Sequence, residues 1–359
     1  MKRDFPILAA FGLAVGGLMA ACSAESDNTD EPRMPEGGEI AFTPSRSDQP
    51  TTTLTIPNFK VTAFKRSPWG RGEKIMDNVN VIRTGLNRWE YSPAVEWPTE
   101  PVDFYAVSPM EVKLNDEWAS FSVDWNHTEG GNGSFFNSST TDLLVAVRIG
   151  ADQSTGRIRL NFRHALARIS LGLRTNPVEG QAVRVRRISF EGRSEGKLYL
   201  PNETTSRDTF DGSLIDNWQI WNSRTSSLTL FEAFDDYVTL TAAPVVFTSE
   251  GRYIIPSHLK PIHASGDVTG ERFDVVYQIV DTTTGGILWP NESTDPVDLL
   301  DPHSREWGVG RFGLYGSVKD NTLYPGYNYR FTITIDKESH LHTRTSSSSP
   351  LAVEIDKLP

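Results

Sequence analysis

Apolar and polar residues alternate with period two along much of the chain. Ile158, Leu160 and Phe162 share one parity, while Arg157, Arg159 and Asn161 take the other. The same spacing sets Leu143, Val145, Val147 and Ile149 on one face, then Phe273, Val275, Tyr277 and Ile279, then Tyr327, Tyr329, Phe331, Ile333 and Ile335. Successive side chains of a strand point to opposite faces, so this pattern predicts strands with one buried side. Clusters of Gly, Pro, Asn and Ser between the segments predict antiparallel sheets joined by turns. Helical spacing is scarce. His164-Ala-Leu-Ala-Arg168 fits a single turn or a continued strand equally well. The expected fold class is all-β.

Two segments depart from simple alternation. Val102-Asp-Phe-Tyr-Ala-Val-Ser108 is mainly apolar at both parities, which predicts a strand covered on both faces. Across residues 183–190 the apolar parity changes between Val185 and Ile188, which predicts a β-bulge. Residues 130–141 and 201–216 are polar and predict long loops. Turn residues gather at 175–180 after a long strand, and two sandwiches suit this many strands better than one barrel. The expected division is a leader at 1–21, a tether at 22–38, a first sandwich at 39–175 and a second at 176–359, with a separable tail at 346–359.

The first residues follow the export pattern. Lys2 and Arg3 precede an apolar run over 7–19, and Ala20-Ala21 lead into Cys22. That order of charge, apolar stretch and small residues predicts a signal peptide. The run is about 13 residues, short of the roughly 20 that a spanning helix needs. Met19-Ala-Ala-Cys22 resembles a lipobox with Met where Leu is usual, and Cys22 is the sole cysteine of the 359 residues. A thioether-linked and an amide-linked acyl chain on Cys22 would supply the two signals that stable anchoring requires. The acidic segment that follows Cys22 resembles that of surface-exposed lipoproteins, and this resemblance implies the outer membrane, facing the cell surface. Residues 23–31 are polar and acidic with no large apolar side chain, as a solvated tether would be.

A formal charge of −11 argues against nucleic acid as a partner. There is no Gly-x-Ser-x-Gly turn, and beyond Cys22 no cysteine nucleophile. His340 and His342, or His258 and His263 around Pro261, lack the clustered ligands of a zinc site. Asp235 and Asp236 are adjacent, so on a strand they would face opposite ways. Neither an enzyme nor a bound metal or cofactor is expected. The nine tryptophans are scattered, and exposed rings could stack on sugars. Trp218 and Trp221 are the pair best placed for that, against the alternative of core packing. A glycan-binding surface lipoprotein is accordingly the second functional reading.

The two ends of the exported region carry the more specific signal. Residues 39–43 read as a short strand whose Ile40 and Phe42 share a face. Residues 44–48 read as a turn-like polar stretch that exposes Arg46, before Leu54 and Ile56 resume the alternation. Exposed loops of this kind are where proteases cut. Arg66 and Arg71 compete with Arg46 as targets. At the other end, four serines at 346–349 form a spacer before Leu351, Val353 and Ile355, which alternate with Ala352, Glu354 and Asp356.

In these features the chain resembles the fimbrillin family, pilus subunits of the Bacteroidota made from lipoprotein precursors. The resemblance rests on the lipobox at Cys22 and on Ile40-Ala-Phe42 followed by an arginine. It extends through Trp89-Glu-Tyr-Ser92, Trp97-Pro98, Val102-Asp-Phe-Tyr-Ala-Val-Ser-Pro109, Asp142-Leu-Leu-Val-Ala146, residues 160–169, and Tyr324-Pro-Gly-Tyr-Asn-Tyr-Arg-Phe331. It implies two transthyretin-like antiparallel β-sandwich domains in tandem and polymerisation by strand exchange. Carried onto this chain, Arg46 would be the cleavage site and residues 39–43, with Ile40 and Phe42, the displaced strand. Leu351, Val353 and Ile355 would lead the donor strand. The implied partners are other pilus subunits, with host or bacterial surface ligands beyond them. Shaft, tip and anchor roles are not distinguished by the residues, and the tail could equally be a strand of its own domain.

Overall fold

The computed structural model describes residues 38–46, 56, 58–68, 70–85, 88–116, 118–122, 136–137, 140–193, 195–200, 214–219, 226–234, 236–261, 270–335 and 351–358. The expected leader, Cys22 and nearly all of the tether lie outside the described residues. Within them the fold is all-β, and its helical elements are single 3-10 turns such as Leu214–Asn217.

A seven-stranded sheet runs, in spatial order, through Phe42–Arg46, Ile158–His164, Leu144–Ala151, Val102–Ser108, Phe59–Ser67, Gly70–Gly85 and Arg88–Glu90. It curls round a core that includes Ile40, Phe42, Phe59, Phe104 and Phe162, so the strands at its two ends approach each other. Its other face carries Tyr105, Val107, Val145 and Val147, which pack with Leu114, Leu198 and Trp218. This arrangement explains why Val102–Ser108 is buried throughout. Phe104 and Ala106 serve one core while Tyr105 and Val107 serve the other.

A third core runs from Ala167 to Leu351. On one side stand Ala167–Thr175, Tyr327–Ile335 and Leu351–Lys357; on the other stand Ser226–Glu232, Gln181–Gly192, Arg272–Asp281, Ser304–Gly313 and Leu299–Asp301. Phe273 links the two layers, its ring centroid 5.5 Å from Phe190 and 5.3 Å from Phe331. Tyr277 and Trp289 stack at 4.3 Å over Gly308 and Gly310, where any Cβ would collide with a ring.

The parity change near Val185 is a register shift between Val185 and Arg187 against the Arg272–Asp281 strand. One strand ends at His164 and the next begins at Ala167, so the 164–168 stretch is a step between sheets rather than a helical turn. The Ala167–Thr175 strand contributes Ile169, Leu171 and Leu173 to the third core, although it precedes the expected boundary after residue 175. Its parallel partner is Tyr327–Ile335. The opening strand is likewise parallel to Ile158–His164. Hydrophobic alternation carries no sign of strand direction, and parallel neighbours need long connections, which both pairs have.

Candidate functional site: the opening strand and the closing tail

The opening strand is offset from its expected span. It covers Phe42–Arg46 rather than 39–43, so Pro44, Ser45 and Arg46 belong to the strand and not to a turn. Proline donates no hydrogen bond, but at a sheet edge none is needed on the outer side. Phe42 pairs with Ile158, Pro44 with Leu160 and Arg46 with Phe162. The Ser45 hydroxyl donates to the Asn161 side-chain oxygen, and the Ile158 N–H donates to the Ala41 carbonyl at 2.7 Å.

Just before this strand the chain has a second partner. Glu39 and Glu96 form an antiparallel bridge. The Ile40 N–H donates to the Val95 carbonyl, and the Trp97 N–H to the Gly38 carbonyl, both at 3.0 Å. Residues 38–46 therefore span the gap between the Ile158–His164 edge and the segment that follows Arg88–Glu90. The Tyr91 hydroxyl donates to the Ile40 carbonyl at 2.7 Å. Burial raises the Tyr91 phenol above its ordinary value, with the nearby Glu39 carboxylate pushing the same way.

The side chains of this segment are core residues. Ile40 and Phe42 are 2% and 1% exposed. The Phe42 ring meets Tyr91 at 5.6 Å, Phe104 at 5.8 Å and Phe59 at 6.2 Å between centroids. Without residues 38–46, these three rings and the Ile158–His164 backbone would line an open slot. Such a slot offers unpaired backbone groups above apolar surface, which an extended peptide of matching parity can satisfy.

Arg66 and Arg71 sit differently. They face each other in the ladder of one hairpin. The Arg66 N–H donates to the Pro101 carbonyl at 2.7 Å, and the Arg71 guanidinium lies 4.5 Å from the Phe64 ring centre. All three arginines thus stand in paired strands, Arg46 at the last position of an edge strand and the other two within a hairpin.

The closing strand, Leu351–Lys357, lies antiparallel to Tyr327–Ile335 at the edge of its sheet. Leu351 is buried, Val353 packs partly against the core, and Ile355 is 41% exposed. Arg330 holds this strand by ion pairs to Glu354, at 3.5 Å, and to Asp356. In this chain the tail thus docks on its own sheet.

Among the described residues no three His, Cys, Asp or Glu side chains group as metal ligands. His258 contacts Thr322 at 3.0 Å and Asp216 at 3.5 Å. His263, His340, His342, Asp235 and Trp221 lie outside the described residues. Trp218 is buried, its indole N–H donating to the Ala165 carbonyl at 3.0 Å. A ring enclosed in this way does not offer itself to a sugar.

A family model described as fimbrillin-like matches residues 45–350. No curated protein matches the chain. Among solved structures, a candidate cell adhesion protein of Bacteroides uniformis aligns with 11% identity and a TM-score of 0.46, over 91% of this chain and 100% of that one. A fimbrial protein of Bacteroides vulgatus aligns with 14% identity and a TM-score of 0.46, over 89% and 99%. The C-terminally truncated tip fimbrial protein Mfa3 of Porphyromonas gingivalis aligns with 9% identity and a TM-score of 0.36, over 84% and 94%.

Proposed function

The chain belongs to the fimbrillin-like family, and from that premise we propose that it is a structural subunit of a cell-surface pilus, assembled by strand exchange and supporting adhesion. In this proposal the precursor is exported as a lipoprotein and held in the outer membrane through Cys22. An arginine-specific cut after Arg46 frees residues up to that point, carrying Ile40 and Phe42 out of the core. A strand from a neighbouring subunit then fills the slot, with Leu351, Val353 and Ile355 as its apolar face. Its partners are other pilus subunits, and its work is mechanical and adhesive rather than catalytic. The two sandwiches are its building units.

One observation carries this reading. The opening segment contributes core side chains, and among the described residues its backbone is held along its flanks, by the Ile158–His164 strand, by residues 95–97 and by the Tyr91 hydroxyl. Its removal leaves the other strands of that sheet with their pairings intact. The tail suits the replacement in length and parity. Full burial of Leu351, Val353 and Ile355 is worth roughly 1.5–3 kcal/mol each. Ladder hydrogen bonds would add about 0.5–1.5 kcal/mol apiece. Docking on its own sheet leaves Ile355 substantially exposed, so transfer into a deeper slot would gain about 1 kcal/mol at that position.

Treating purified precursor with an arginine-specific protease tests the proposal. A ladder of heat-resistant oligomers should appear on a gel, with the new terminus at Ser47. A subunit that is cut there and stays monomeric would refute strand exchange. Precursor bearing Arg46→Ala should stay uncut and monomeric.

A further inference from the structure

One surface, away from the elements that exchange strands, joins charge to aromatic planes. On the outward side of the later sheet, the Arg184 guanidinium carbon lies 4.4 Å from the centre of the Tyr237 ring. That of Arg186 lies 5.6 Å from the Trp307 ring. Arg186 also donates to the Phe234 carbonyl at 3.1 Å, beside a phenyl ring that is 75% exposed. The alternation along Ser304–Gly313 confirms the direction, since Gly308 is buried and Trp307 beside it points outward. Neither guanidinium forms an ion pair among the described residues. The exposed Glu232, Asp236 and Glu306 stand in flanking segments without bridging to either.

The chain as a whole is acidic, with 46 acidic and 35 basic residues, yet these two cations meet aromatic rings rather than carboxylates. An arginine over an aromatic ring is held in place and keeps donors for a ligand, all of the fork at Arg184 and at Arg186 the part not given to the Phe234 carbonyl. Two such forks on neighbouring positions of one open face are set to take planar anions in bidentate fashion. The rings beside them offer flat apolar surface. The central strand of the patch is hydrogen-bonded on both sides, so it has no backbone edge for an extended peptide to join.

We propose that this face binds an acidic polysaccharide, with Arg184 and Arg186 pairing to uronate carboxylates while Tyr237, Trp307 and Phe234 support the sugar rings. The patch reaches across three strand intervals at about 4.8 Å each, or roughly 14 Å, enough for a short oligosaccharide to touch every named residue. The proposal is independent of strand exchange, and its failure would leave the pilus assignment standing.

Calorimetric titration of the purified protein with a defined oligogalacturonate tests it, with neutral dextran oligomers and polyglutamate of equal charge as comparisons. Saturable binding to the oligogalacturonate, weakened by salt and absent for dextran, is expected. Arg184→Gln with Arg186→Gln should weaken it by roughly tenfold or more. Arg184→Lys, which keeps charge but loses the fork and disturbs folding least, should also weaken it measurably. Absence of saturable binding would overturn the proposal, as would affinity unchanged in these variants. Equal or tighter binding of polyglutamate would overturn it in favour of an acidic protein partner.

Discussion

Phe42→Ala isolates the claim that the opening strand is a detachable element rather than an ordinary part of the core. Phe42 is almost wholly enclosed and packs on three aromatic rings. Truncating a buried phenylalanine costs about 3–5 kcal/mol. If residues 38–46 open as a unit, that cost falls on the local opening, not on unfolding of the chain. At about 1.4 kcal/mol per tenfold, even the lower figure raises the open population roughly a hundredfold. Proteolysis tracks that population when closing outpaces cleavage. The Arg46–Ser47 bond should therefore be cut about a hundred times faster at low protease concentration. Cleavage near Arg66 and Arg71, inside their hairpin, should barely change. Mass spectrometry of timed digests, with amide exchange of residues 42–46, reads both. An unchanged rate at Arg46, or equal acceleration at all three arginines, would refute independent release of this strand.

Ile355→Asp should leave the monomer within about 0.5 kcal/mol of wild type by urea denaturation, since Ile355 is well exposed on its own sheet. The same variant should fail to form fibres, because a charge would enter the slot; fibres of normal length would remove Ile355 from the donor face. Leu351→Asp should both block fibres and loosen the monomer's closing strand, seen as lost exchange protection over residues 351–357. Gly308→Ala sets a Cβ within 2.2 Å of the buried Trp289 ring, and should cost about 1–3 kcal/mol in thermal or urea melts. Burial pushes the Tyr329 phenol up to about 12. Because the folded value lies above the unfolded value of about 10, its contribution is full below pH 10 and fades as pH rises to 12. Tyr329→Phe should flatten that part of the alkaline stability profile.

Much of this architecture is legible in the residues. Period-two alternation locates the strands at 158–164, 273–279 and 327–335, and the double-faced run at 102–108 marks a strand between two cores. The parity change after Val185 marks the bulge. The opening segment was legible as far as Ile40 and Phe42, whose shared face is indeed buried. The extent of its strand was not, because proline and serine at 44 and 45 spell a turn. Only a parallel neighbour more than a hundred residues away makes an edge strand of them. Trp218 illustrates the same limit. It lies beside a long polar stretch, and the carbonyl that receives its N–H belongs to Ala165, which local sequence cannot reveal. The closing tail shows alternation plainly, but alternation fits a sheet of its own chain and a sheet of another equally well. The arginine and aromatic patch gave no signal, since its residues come from three separate stretches.

The parallel alignment of the opening strand with Ile158–His164 also decides how the molecule bears load. A pull on the residues before Glu39 enters the opening strand at its N-terminal end. The reaction passes out of the partner strand at its C-terminal end, through Ala165. Strands that run the same way and are drawn from opposite ends are sheared, so their hydrogen bonds share the force instead of failing one after another. The chain would then resist tension applied ahead of Glu39 while the backbone beyond Arg46 is whole. Once that backbone is cut, the free end at Arg46 can lift sideways from Phe162 and peel away bond by bond. Under the proposed cleavage, a strand that is strong under a steady pull and weak to fraying at its far end would let a single cut, rather than a larger force, decide when it leaves.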